Sequence, residues 1–182
     1  MSHKRAITFL RKADPKLAAV MDEVGPCTFE PAEHLAHFTA ITRSIVFQQL
    51  SGKAASTIYG RFAALFDDDT PVAPKLIDLS DDQLRAVGLS RQKIGYLRDL
   101  ATRVHTGDVP IDKLDELPDD EIIAALTSVK GIGRWTAQMF LMFRLGRPDV
   151  LPDLDLGIQK GVRQAYRLRS HPTPKRVQEI GA

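Results

Sequence analysis

Apolar residues along this chain recur at three- and four-residue spacings rather than in alternation. Leu17, Val20, Met21 and Val24 form one such set; Leu35, Phe38, Ile41, Thr42, Ile45 and Val46 form a second; Ala55, Ile58, Phe62 and Leu65 form a third. Spacing near 3.6 puts these positions on one face of a helix, whereas a half-buried strand would alternate every second residue. Start and stop signals bracket the sets. Asp14-Pro15 opens the first and Gly25-Pro26 closes it, Glu30-Pro31 opens the second, and Ser51 is placed to cap the third. The acidic stretch at 67–74 reads as a loop. Ser80 with Gln83 reads as a capping box for a short helix that ends at Gly88. Ser90 caps a longer helix from Arg91 to about His105, and Pro118 starts another that carries Ile122, Ile123 and Leu126.

The pattern predicts an all-α fold of eight to ten short helices, with no repeat and no linker rich in Gly, Ser or Pro. It is read as a single domain over 1–182, compact, with two helical lobes around a central cleft as the natural place for a ligand. The 182 residues suffice for a core without metal or disulfide staples. Cys27 is alone, which excludes an intramolecular disulfide framework and any cysteine-ligated cluster. Apolar runs are too short for a membrane-spanning helix, and the first fifteen residues lack the apolar core of a secretion signal. The expectation is an intracellular protein, cytoplasmic or nucleoid-associated in a bacterium and nuclear in a eukaryote.

Charge adds one asymmetry. The net charge of +2 hides 15 basic against 19 acidic residues up to position 125, then 10 basic against 4 acidic from 126 onward. A basic C-terminal third suggests a face for an anionic partner, although a solubilising surface would look the same.

That basic third contains the one segment with readable chemistry, Leu126-Thr-Ser-Val-Lys-Gly-Ile-Gly-Arg-Trp-Thr-Ala-Gln. Gly131-Ile132-Gly133 lies between two helical patterns as a hairpin over about 126–144. Its glycines permit a sharp bend and close approach of another backbone. The next helix then begins with unpaired N–H groups and a positive dipole end, a good phosphate site flanked by Lys130 and Arg134. Ile132 is expected to point inward and pin the turn. An ordinary helical corner would also carry Gly-x-Gly; the thirteen-residue context is what makes the reading specific.

Four pieces of sequence together resemble the helix-hairpin-helix DNA glycosylase superfamily, in its 3-methyladenine DNA glycosylase II branch. They are Ser44-Ile-Val-Phe-Gln-Gln-Leu-Ser-Gly-Lys-Ala-Ala, Gly88-Leu-Ser-Arg-Gln-Lys, the hairpin with Arg134-Trp-Thr-Ala, and Leu151-Pro-Asp-Leu-Asp-Leu-Gly-Ile-Gln-Lys-Gly. The resemblance implies a monofunctional enzyme that flips alkylated purines out of double-stranded DNA and hydrolyses the N-glycosidic bond in base excision repair. Asp155 matches the family's essential aspartate. A carboxylate at a helix N-terminus is stabilised as the anion and can in turn stabilise positive charge developing on the sugar. Asp153 competes for that role, and both also read as helix caps.

Trp135 stands where bifunctional relatives carry a nucleophilic lysine, which implies hydrolysis without strand cleavage. It is expected to line the base pocket with Met139, while Phe140, Met142 and Phe143 are mainly core. Gln49 falls at the family's wedge position and Gln48 at a structural one. DNA contacts are expected from Gln49, Lys130, Gly131, Gly133, Arg134 and Thr136, with Lys160 as a further phosphate contact. Arg163, Arg167 and Arg169 read either as phosphate contacts or as a solvated helix face. His34 and His37 share a face without a third ligand, so no metal site is expected. The resemblance implies no organic cofactor, but permits a monovalent cation on carbonyls of the Ser128–Gly133 turn. The chain is expected to be a monomer, and the family's last helix is expected to be missing from it, either lying outside this sequence or absent from a truncated form. The competing reading is a non-catalytic helix-hairpin-helix module that binds DNA or recognises damage; Asp155 is the feature such a module would not need.

Overall fold

The computed structural model describes residues 4–32 and 34–182. Among the described residues there are eleven α-helices and no strand. They are α1 (Lys4–Ala13), α2 (Pro15–Val24), α3 (His37–Phe47), α4 (Gly52–Ala63), α5 (Ala73–Asp78), α6 (Asp81–Ala86), α7 (Arg91–Thr106), α8 (Asp119–Thr127), α9 (Arg134–Phe143), α10 (Leu156–Ala165) and α11 (Pro174–Gly181). Single 3-10 segments cover Asp67–Asp69 and Ile111–Glu116. The all-α class follows the sequence pattern, with more helices than the pattern resolves.

The helices form two compact units. One spans Pro31–Val150; the other combines residues up to Glu30 with Leu151–Ala182. In the first unit, α7 is the spine. Ile94, Leu97, Leu100 and Ala101 line its inner face, and α3, α5 and α6 pack against it. Leu97 and Leu100 are wholly buried, as are Ile45, Phe62, Leu76, Leu84, Ile122, Leu126 and Leu141 from the surrounding helices. Burying each such side chain stabilises the fold by roughly 1.5–3 kcal/mol. Phe47, Tyr59, Phe62 and Phe66 continue this core as a run of tilted and edge-on rings with centroids 5.1–6.2 Å apart. In the second unit, α2 packs on α1 and α10, and α10 on α11.

Several ends are set by the local chemistry that the sequence advertises. The Asp14 carboxylate accepts from the N–H groups of Lys16 and Leu17, with Pro15 in the first turn of α2. Ser80 and Gln83 form the reciprocal capping box of α6. Ser90 accepts from the Lys93 N–H, and Gly107 ends α7 at φ 85°.

Other ends differ from expectation. The helix expected from Pro31 starts only at His37, because the Ala32 N–H is committed to the Phe143 carbonyl at the end of α9, 2.8 Å away. Ser51 stands at the start of α4 without a side-chain capping bond. The expected loop at 67–74 contains a 3-10 turn, with Asp68 and Asp69 at positive φ, and the start of α5. Helix α1 and the 3-10 segment Ile111–Glu116 have no counterpart in the pattern. Most of α1 lies exposed, Phe9 included, so it carries no buried stripe to be read. No helix of the described residues is long and apolar enough to cross a membrane.

Candidate functional site

The hairpin between α8 and α9 is clamped from three sides. Gly131 sits at φ 81°, a left-handed conformation that favours glycine, and a Cβ there would lie 2.2 Å from the Tyr96 ring. The ring thus packs flush under the turn, with its hydroxyl accepting from Gln92 Nε2 at 2.7 Å. From the end of α3, Gln48 Nε2 donates to the Gly131 carbonyl at 2.8 Å. From α7, Asp99 Oδ2 accepts from the Lys130 N–H at 2.8 Å and from Arg103 Nε at 3.0 Å. Burial alone would push the Asp99 carboxyl up, but these two bonds and the Arg103 and Lys130 charges outweigh it and hold its pKa low. Ile132 is buried beneath the turn, as the sequence indicates.

The same clamp presents the outer face of the turn. The Lys130 side chain remains 74% exposed, with its ammonium 3.9 Å from Asp99 Oδ1. Gly133 caps α9 without a side chain, and a Cβ there would meet nothing within 4 Å, so the approach to the start of α9 at Gly133 is unobstructed. Arg134 is exposed beside them. Thr136 is not: it is buried in the first turn, so its hydroxyl does not share the surface expected for it. Such an arrangement can hold an anion, since a helix N-terminus and cationic side chains lie side by side.

Behind the hairpin lies a cavity of about 740 Å³ in the first unit, walled mainly by α3 and α9. The end of α3 meets the start of α9 at Gln48–Gly131, and the start of α3 meets the later turns of α9 at His37–Phe140, where ring centroids are 5.7 Å apart. The two helices therefore run antiparallel. Trp135, Met139 and Phe143, four residues apart, line the cavity from one face of α9. Trp135 is 41% exposed and Phe143 49%, so only Phe140 of the expected core trio is buried. This stripe lines the cavity because its face of the helix is turned towards the cavity rather than into the core.

Gln49 also lines the cavity, with φ 55°. A left-handed non-glycine residue costs on the order of 1–3 kcal/mol and persists where its surroundings hold it. The consequence is a split pair: Gln48 turns in to the hairpin and exposed Gln49 turns out. Lys93 lines the wall too, and its ammonium donates to the Val46 carbonyl at 2.5 Å, capping the end of α3. Burial holds its pKa below that of a free lysine.

Asp155 belongs to the second unit. It caps α10, accepting from the Ile158 N–H at 3.0 Å, while its own N–H donates to the Pro152 carbonyl at 2.9 Å. A Cβ on Gly157 would come 2.9 Å from Asp155 Oδ1, so the glycine leaves room for the carboxylate. Asp153 differs in kind. It is 1% exposed and accepts from Gln178 Nε2 of α11 at 2.6 Å, and its carbonyl accepts from Gln159 Nε2 at 2.9 Å. Asp153 ties a loop together, whereas Asp155 is half-buried at a helix N-terminus. Lys160, Arg163, Arg167 and Arg169 are all exposed. His37 is engaged by Asp115, with Nε2 and Oδ2 2.8 Å apart.

Tyr96, Asp99 and Gln178 hold these features in place without being read from the sequence. Only the four-residue step from Gln92 to Tyr96 on a predicted helix hinted at a pair.

Comparison with known proteins bears on both units. Residues 42–182 match the family described as HhH-GPD superfamily base excision DNA repair protein. DNA-3-methyladenine glycosylase 1 of Schizosaccharomyces pombe is 37% identical over 138 residues, 75% of this chain, and the match spans 60% of that relative's length. Among solved structures, the S. pombe 3-methyladenine DNA glycosylase Mag1 in complex with abasic DNA superposes with a TM-score of 0.80 at 32% identity, covering 96% of this chain and 86% of that one. A Bacillus halodurans DNA-3-methyladenine glycosidase superposes with a TM-score of 0.83 at 36% identity, covering 93% and 76%. The fold, the hairpin and these matches agree: the chain belongs to the HhH-GPD superfamily of base excision DNA repair proteins.

Proposed function

We propose that this chain is a monofunctional DNA glycosylase that releases alkylated purines of the 3-methyladenine type from duplex DNA. The observation that carries the reading is Trp135, a half-exposed ring one residue into the helix after the hairpin, forming the wall of a cavity behind it. An indole there can stack on a flipped base and attract a cationic, alkylated one. It cannot form a Schiff base with the sugar, so the reaction is hydrolysis.

In that reaction the C1′–N bond breaks with its electron pair leaving on the base. Water forms the new C1′–O bond, and its proton passes to Asp155 or to solvent. The fixed carboxylate of Asp155 stabilises the positive charge that develops on the deoxyribose and orients the water. Gln49, turned outward, fills the space vacated by the base. The outer face of the hairpin, with Lys130, Gly131, Gly133 and Arg134, takes phosphate oxygens on the flank, and exposed Lys160 adds a further charge. Binding of this kind is sequence-independent and weakens with salt.

A monovalent cation fits the same turn. The carbonyls of Val129, Gly131 and Gly133 are engaged by Ile132, Gln48 and Ala137 respectively. Backbone carbonyls of the Ser128–Gly133 turn would hold such an ion, which would supply positive charge for a nearby phosphate. The protein acts as a monomer on DNA inside the cell. The test is chromatographic detection of free bases after incubating methylated duplex DNA with the purified chain: released 3-methyladenine supports the reading, and DNA binding without any released base rejects it.

A further inference from the structure

The cavity is larger than its proposed occupant. Its 740 Å³ falls in the range of pockets for drug-sized ligands, about 300–1,000 Å³, whereas a purine has only about ten ring atoms. It also extends beyond Trp135 along α9. At 1.5 Å per residue, the step from Trp135 to Arg144, both of which line it, covers roughly 13 Å. Helical side chains lean back towards the N-terminus, so Arg144 leans over the preceding turn at Phe140, which also lines the cavity.

The charged side chains on the described wall are of one sign: Arg43, Lys93 and Arg144, with no carboxylate among its described residues. Lys93 is spent on the Val46 carbonyl. The Arg43 guanidinium carbon lies 4.1 Å from the centre of the Phe47 ring, at the end of α3 that meets the hairpin. Arg144 Nε is buried and has no hydrogen-bond partner. A buried, unsatisfied guanidinium donor is costly and calls for an acceptor, and the acceptor that suits its planar fork is a carboxylate.

We propose that Arg144 forms a subsite for an anionic substituent on the flipped purine, making carboxymethylated purines a substrate class of this site. The inference rests on the glycosylase reading. A purine alkylated at a ring nitrogen is cationic, so a carboxymethyl group renders it zwitterionic, and the guanidinium meets the carboxylate at the end of the cavity while the ring stacks on Trp135. The bond broken is the same C1′–N bond, and water again supplies the oxygen.

The test measures single-turnover release by the full chain from duplexes carrying one modified purine. At N7 of guanine and at N3 of adenine, methyl, carboxymethyl and neutral carbamoylmethyl substituents are compared. The expected result, at one or both positions, is that carboxymethyl is released at least tenfold faster than carbamoylmethyl. Arg144→Met should remove most of that ratio, and Arg144→Lys should retain more of it. Glu33, next in sequence to Ala32 on the wall, lies outside the described residues; Glu33→Gln is the control for its charge, and the ratio should survive it. Equal rates for the two substituents at both positions overturn the proposal. So does an Arg144→Met variant that slows every substrate equally, which would make Arg144 a phosphate contact. Release of none of the bases, methylated ones included, rejects the glycosylase reading itself and the subsite with it.

Discussion

Gln48 and Gly131 are 83 positions apart in the chain, and the side-chain amide of one donates to the carbonyl of the other at 2.8 Å. That bond joins the end of α3 to the hairpin turn, and it distinguishes two adjacent glutamines: Gln48 is held by the turn and Gln49 is exposed. Replacing Gln48 with Ala is expected to cost about 1 kcal/mol of stability. It should also weaken duplex binding, because the turn loses one of its three anchors. Gln49→Ala should leave thermal stability near wild type and slow base release instead. Denaturant titration and single-turnover kinetics on the two variants check the division. Equal stability losses in both would contradict it.

The two hairpin glycines should respond differently to substitution. Gly131→Ala places a methyl group inside the Tyr96 ring and demands a left-handed alanine, so a loss of at least 2–3 kcal/mol is expected. Gly133 has an extended φ and open space around it, so Gly133→Asp should fold well. It sets a carboxylate where phosphate is expected and should weaken binding to damaged and undamaged duplexes alike. Loss confined to damaged duplexes would argue against a phosphate role for the turn.

What was legible in the sequence was local. Asp14 with Pro15, Ser80 with Gln83, and Ser90 act on N–H groups two or three residues away, and their patterns show in the sequence. Asp155 is of the same kind, since a cap and its helix are neighbours in the chain. The glycines of the hairpin and the inward Ile132 were legible for a related reason, as both follow from the short spacing of the turn. Asp99 was not, because its partner Lys130 lies 31 positions away and nothing near either residue announces the pairing. The late start of α3 is hidden likewise by the tertiary bond from Ala32 to Phe143. Asp153 looked like a rival to Asp155 until the structure tied its carboxylate to Gln178.

The second unit carries a pH signature. The Tyr166 hydroxyl donates to the Asp14 carboxylate, and Lys16 lies 5.3 Å from the centre of the Tyr166 ring. Burial, that bond and the Asp14 charge push the tyrosine up to about 12, while the bond from Tyr166 and the backbone donors hold Asp14 low. A raised folded-state value means the stabilisation is complete below the ordinary tyrosine value near 10 and is lost as pH rises through about 12. Melting temperatures of wild type and Tyr166→Phe should therefore converge between pH 10 and 12. A gap that stays constant across that window would show that the bond does not titrate as described.

The proposed hydrolytic reaction, with Trp135 rather than a lysine after the hairpin, predicts no covalent intermediate. Borohydride added during turnover is expected to trap no protein–DNA adduct, and abasic duplex should emerge uncut. A trapped adduct on a denaturing gel would contradict the hydrolytic assignment and would point to an amine, with Lys93 on the cavity wall the first to replace.

The central claim is that Asp155 drives hydrolysis of the N-glycosidic bond, and it is tested most directly by single-turnover release of 3-methyladenine from duplex DNA by wild type and Asp155→Asn. Asparagine caps helices as well as aspartate does, so α10 should remain intact while the charge is removed. The account predicts a rate lower by roughly 10²–10⁴-fold in the variant, with duplex affinity little changed. Binding without release by wild type, or release at an equal rate by Asp155→Asn, would contradict it.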